Sequence, residues 1–253
     1  MLFCFIFVEK MKTMKALKTL FFAVSAMLAV DCYSQAKCEQ IDTESAKWDR
    51  LNQINSGKEN MSGKEKRDLD IKYAHILKDS LSYRFNDAGE LESEYIILLG
   101  QSHKIEDLKD ATMDYFSKKF TLTSHYKKDI DKRSELKETG TNSLYLHTVY
   151  PSASVLTSGL ATHVIDIDLV FIVKFKEDKI KITTSIPSYQ YNSGIKSDIR
   201  SIKNYPPYTS YGDSHKDKRD DAFFCRAYTK ACECIFQYTK SYCEYLDKNL
   251  TDW

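Results

Sequence analysis

The chain has 253 residues, and its 37 lysines and arginines are nearly balanced by 36 aspartates and glutamates. With both signs mixed along the chain, that balance gives no electrostatic case for nucleic acid or an anionic membrane surface. At this length one domain with added helices is expected rather than two, and such a chain can bury most of the surface it exposes when unfolded.

Residues 1–36 read as an export signal. Lys12, Lys15 and Lys18 form a basic lead-in, Leu20 to Val30 is apolar except for Ser25, and Ser34-Gln35-Ala36 offers the small residues a signal peptidase needs. The apolar run is far shorter than the roughly 20 residues of a spanning helix, so no membrane span is expected after cleavage. A second apolar run, Leu2 to Val8, is cut off by Glu9, Lys10 and Lys12, which points to Met11 or Met14 as the true start. Cys32 raises a lipid-anchored alternative, but the acidic Asp31 before it fits that processing badly, and release after Ala36 is the reading taken. Taking residues 1–36 away leaves 217 residues with 33 basic and 34 acidic side chains.

Residues 37–80 form a helical extension. Trp48, Leu51 and Ile54 fall at helical spacing within Thr43 to Ile54, Gly57 to Gly63 reads as a linker, and Leu69, Tyr73, Ile76 and Leu77 mark a second helix from Lys64 to Asp79. Residues 81–191 read as an antiparallel sheet with one helix. Leu81 to Phe85 and Leu91 to Leu99 flank the turn-forming Asn86-Asp87-Ala88-Gly89. Ser102 is placed to cap the helix that follows, with Glu106 and Asp107 in its first turn. Phe120 to Tyr126 reads as a strand, Lys127 to Glu138 as a mixed-charge loop, Ser143 to Tyr150 as a strand and Pro151 to Ala161 as a small-residue loop. His163 to Phe175 and Lys179 to Ile186 are the clearest strands, with apolar odd positions from Ile165 to Phe175 and apolar Ile180, Ile182 and Ile186. Pairing Phe175 with Ile180 puts Val173 opposite Ile182 and Leu169 opposite Ile186, all on one face, and leaves Lys174 opposite Lys181 outside. Residues 192–219 form a loop rich in tyrosine and proline. Residues 220–253 carry a long amphipathic helix whose apolar arc, from Phe224 to Leu246, needs the sheet to cover it.

Leu91 to Tyr191, about 100 of the 253 residues, resembles a family of exported, Bacteroides-type bacterial domains of unknown function with a TATA-binding-protein-like fold. The residues that carry the likeness are Tyr95 to Ser102, the helix end Tyr115 to Phe120, and Ile165-Asp166-Ile167-Asp168-Leu169 leading to Lys176-Glu177-Asp178-Lys179-Ile180. The turn departs from the family pattern in having no glycine. The resemblance implies an α+β domain with a curved antiparallel sheet in the order strand, helix, four strands, helix. It implies no catalytic residues, and DNA binding does not follow from a fold name.

Candidate sites are few. Tyr189, Tyr191, Tyr205, Tyr208 and Tyr211 surround Pro206-Pro207; aromatic loops of this kind stack on ligands or grip partners, and the alternative, the more usual one, is a loop that packs on its own domain. Asp166 and Asp168 share one strand face about 7 Å apart, a spacing open to acid/base chemistry, although an outward soluble face is the reading taken. Five cysteines follow the signal, an odd number. Cys225, Cys232 and Cys243 read as packing residues of the long helix, and Cys38 is open to a disulfide with one of Cys225, Cys232, Cys234 and Cys243 in an oxidising compartment. No metal set, cofactor motif, P-loop or nucleophile elbow is present. The expected function is a non-enzymatic envelope or secreted domain that binds a protein or small ligand; the alternative is an envelope hydrolase or transferase using the carboxylate pair.

Overall fold

Residues 36–124, 134–194, 197–209 and 218–250 are described by the structure, a computed structural model. The signal segment, with Met11, Met14 and Cys32, lies outside them, as does Tyr211.

Two helices open the described chain, α1 over Glu39–Asn55 and α2 over Gly63–Ser80. Ser62 ends the glycine-bearing connection by capping α2: its hydroxyl accepts the Glu65 N–H, and its own N–H donates to the Glu65 carboxylate at 2.7 Å. The strands are β1 Arg84–Phe85, β2 Leu91–Leu98, β3 Glu135–Glu138, β4 Ser143–Ser158, β5 Ala161–Lys176, β6 Lys179–Ile186, β7 Tyr189–Asn192 and β8 Ser197–Arg200. Helix α3 covers Ile105–Ser124, and α4 covers Arg219–Asn249.

The fold is α+β, and the sheet runs β1-β2-β6-β5-β4-β3 with antiparallel neighbours. One edge of β5 is divided between two partners. Its C-terminal half pairs with β6, while Val164 to Ile167 pair with β7, which in turn holds β8. The period of two in β5 buries Ile165, Ile167, Leu169, Phe171, Val173 and Phe175 on one face. Helix α4 covers that face with Phe224, Tyr228, Ala231, Ile235, Tyr242 and Leu246, all buried. Phe116 of α3 sits between sheet and helix, its ring 5.7 Å from Phe171 and 5.6 Å from Tyr242.

The register of the central hairpin is the expected one, with Phe175 opposite Ile180, Val173 opposite Ile182 and Lys174 opposite Lys181. Its turn does without glycine because Glu177 and Asp178 keep negative φ. The turn carbonyls are instead held by the N–H groups of His103 and Leu99, at 2.8 and 2.9 Å.

Several elements depart from the sequence reading. Pro151 to Ala161 is not a loop: β4 continues through it to Ser158, with a register shift between Tyr150 and Ser154. The shift accommodates a proline that cannot donate to the ladder, and Ser152, at φ 54°, turns its N–H to the Asp166 carboxylate at 2.7 Å. Phe120 to Ser124 extends α3 instead of forming a strand. Glu135–Glu138 is a strand, because it finds the free edge of β4. Ser102 does not cap α3; its hydroxyl donates to Glu177 at 3.3 Å, and the helix starts at Ile105. Residues 192–219 contain β8 and a 3₁₀ turn, Ile202–Asn204.

Candidate functional site

The divided edge of β5 creates a pocket. Where β4 and β5 run past β6, their ends face β7, β8 and the start of α4 around a cavity of about 300 Å³. Its walls are Leu156 and Ser158 from β4, His163 from β5, Tyr191 from β7, Arg200 from β8, and Arg219, Asp220, Phe223 and Phe224 from α4.

A stacked cluster organises the polar wall. The Arg200 guanidinium lies 3.6 Å from the centre of the Tyr191 ring, and 5.4 Å from that of Tyr205. The His163 ring is stacked on the same Tyr191 at 5.8 Å, and its Nδ1 is 2.5 Å from the Tyr191 hydroxyl. Tyr205 stacks on Phe224 at 4.3 Å, and Phe223 meets Tyr191 edge-on at 6.4 Å. The rings of Tyr191 and Tyr205 attract the Arg200 cation, while its Nη2 contacts Asp198 at 3.5 Å, longer than a good charge-assisted bond. A guanidinium so held is a planar fork of N–H donors, the group that takes a carboxylate or phosphate on two oxygens.

Of the tyrosines singled out in the sequence, Tyr191 lines the pocket and Tyr205 backs it. Tyr189 is fully buried in the core. Tyr208 packs between Phe85 and Tyr228, with ring centres at 4.7 and 5.7 Å. The two acids lie elsewhere, both serving the sheet. Asp168 accepts from Ser188 Oγ and Gln190 Nε2, each at 2.7 Å, and meets His147 Nε2 at 3.3 Å. Asp166 holds the β4 bulge through Ser152 and accepts from Asn192. Neither lines the pocket.

No protein-family model and no curated protein matches this chain. Two solved structures are similar to it. One is a TBP-like protein from Parabacteroides distasonis, 13% identical with a TM-score of 0.44 over 64% of this chain and 96% of the other. The second is a DUF4468 family protein from Bacteroides ovatus, 9% identical with a TM-score of 0.44 over 64% of this chain and 90% of the other. Their descriptions, a TBP-like protein and a family of unknown function from Bacteroides-type bacteria, are of the kind named by the resemblance read from the sequence.

Sequence reasoning missed Arg200, Arg219, Phe223 and Phe224 as pocket residues, and His163 stands on β5 at the parity opposite to Asp166 and Asp168. Their proximity depends on β8 folding back along β7, and a four-residue strand leaves too few alternations to show a period. Among the described residues, no group of three His, Cys, Asp or Glu could hold a metal ion, and no helix is long and apolar enough to cross a membrane. A larger, more open groove of about 500 Å³ lies on the other sheet face, where Lys174, Lys176, Lys179 and Lys181 surround Ile96.

Proposed function

We propose that this is an exported, non-enzymatic envelope or secreted domain that binds a small anionic ligand carrying an apolar ring or chain. The observation that carries the reading is the Arg200 guanidinium carbon held over the Tyr191 ring, 3.6 Å from its centre, at the wall of the pocket. Arg200 and Arg219 supply positive charge for a carboxylate or phosphate, and Phe223, Phe224 and Leu156 supply apolar wall. Export supports the reading through the signal-like residues 1–36. A pocket of about 300 Å³, at the small end for ligand sites, suits a single ring or short chain.

The test is a thermal-shift and calorimetric panel on the full chain with benzoate, phenyl phosphate, hexanoate and inorganic phosphate. At least one organic anion should raise the melting temperature and bind at one site. Arg200→Ala should weaken that binding ten-fold or more, the scale of losing one charge-assisted contact. Absence of binding across the panel, or binding unchanged in Arg200→Ala, would overturn the assignment.

A further inference from the structure

Cys38 and Cys243 line one cavity where the start of the described chain crosses the end of α4. Cys38 is the residue before α1 and is 3% exposed; Cys243 is 9% exposed, two turns before the end of α4. Lys37 forms a two-bond bridge to Leu98 at 2.9 and 2.8 Å, and the Ala36 N–H donates to Asp247 Oδ1 at 3.1 Å. The Cys243 thiol contacts the Ala36 carbonyl at 3.4 Å. Both cysteines line one cavity of about 440 Å³, together with Ile41 and Lys240.

The other three thiols are too far along the helix. Cys234 is nine residues before Cys243, roughly 13 Å at 1.5 Å per residue, and Cys232 and Cys225 are farther still. A bridge needs Cα atoms within about 7 Å, and the cavity that Cys38 shares with Cys243 is lined by none of the other three. All five described thiols are free in the structure.

We infer that Cys38 and Cys243 close into a disulfide when the chain folds in an oxidising compartment, locking its N-terminal segment onto α4. The pairing rests on geometry; only its occurrence in the cell rests on export. The oxidant is a small disulfide such as oxidised glutathione. One cysteine thiolate attacks it, releasing one glutathione and leaving a mixed disulfide on the protein. The second thiolate attacks that mixed disulfide, forms the Cys38–Cys243 bond and releases the second glutathione. The protein gives up two electrons, and its two thiol protons end on the two glutathiones. Burial raises the Cys38 thiol above its ordinary range and pushes Cys243 up to about 12. Thiolate is therefore scarce in the finished fold, and the bond closes while the N-terminal segment is still docking.

The test is to refold the full chain in a mixture of reduced and oxidised glutathione, unfold it, tag every free thiol and map the peptides by mass spectrometry. Cys38 and Cys243 should be untagged and joined in one peptide pair, with Cys225, Cys232 and Cys234 tagged. In Cys243→Ser, refolded in the same way, Cys38 should become taggable. The pairing is overturned by a tagged or glutathione-capped Cys38 in the unsubstituted chain, by a bond from Cys38 to another cysteine, or by a Cys38 joined to another cysteine in Cys243→Ser.

Discussion

Glu44 is 4% exposed in a layer built from apolar residues, and its carboxylate accepts from the Tyr95 hydroxyl at 3.0 Å. Tyr95 in turn lies 3.2 Å from the Tyr83 hydroxyl. Burial raises the Glu44 pKa, against the opposing pull of Tyr95 and the Lys47 charge. The native state therefore holds this proton more tightly than the unfolded chain does. Stability falls as pH rises from the ordinary glutamate value, about 4.3, through the raised native value, and the loss is complete above it. Glu44→Gln keeps an oxygen for Tyr95 and removes the buried charge. This variant should melt a few degrees higher than the parent at neutral pH, with the difference closing below about pH 4; a lower melting temperature at pH 7 contradicts the account. Glu44 stands four residues before Trp48 and seven before Leu51, so its place on the apolar face of α1 was legible in the sequence; that this face meets Tyr95 was not, because the contact depends on tertiary packing. Asp168 was visible as half of an acid pair, whereas its ties to Ser188 and Gln190 depend on the chain returning through β7.

At the scale of elements, the hairpin of β5 and β6 was the most legible part of the chain, because its apolar periodicity and its two-residue turn together fix the register. It also contained a puzzle, the facing lysines 174 and 181. The structure supplies a partner that no local reading could: Glu94, across the sheet on β2, bonds Lys181 at 2.5 Å. Only one of the two lysines is offset in this way, and like charges directly opposite each other on a sheet are destabilising. Lys174→Glu should therefore stabilise the protein by a few tenths to about 1 kcal/mol. Urea unfolding at low salt measures the gain, which should shrink in 1 M salt as screening shortens the reach of both charges. Elements set by long-range pairing were less legible. The passage of β4 through Pro151 and the short strands β3, β7 and β8 each require a partner edge, and that edge comes from a distant part of the sequence.

On the scale of the whole molecule, α4 ties every layer together. Along its length Phe224 stacks on Tyr205 at 4.3 Å, Tyr228 meets Tyr208 at 5.7 Å, Phe236 stacks on Trp48 at 5.6 Å and Tyr242 on Phe116 at 5.6 Å. The helical extension, the pocket walls, α3 and the sheet thus share one helix as their common support. A fold wired in this way unfolds as one unit, since no layer can leave without exposing part of α4. Phe236→Ala tests this. The ring is 2% exposed, and its loss leaves a cavity between α1 and α4 costing about 3 to 5 kcal/mol. If the layers are coupled, a variant that weakens only the α1 contact destabilises the sheet equally. Trp48 reports on the extension, and far-UV circular dichroism reports on all helices and strands. The comparison is made with Trp253→Phe in both proteins, because the chain has two tryptophans. In Phe236→Ala the two urea curves should move together to a lower midpoint with an unchanged slope. A Trp48 transition that separates and precedes the dichroism would show that the extension melts on its own, and coupling through α4 would be refuted.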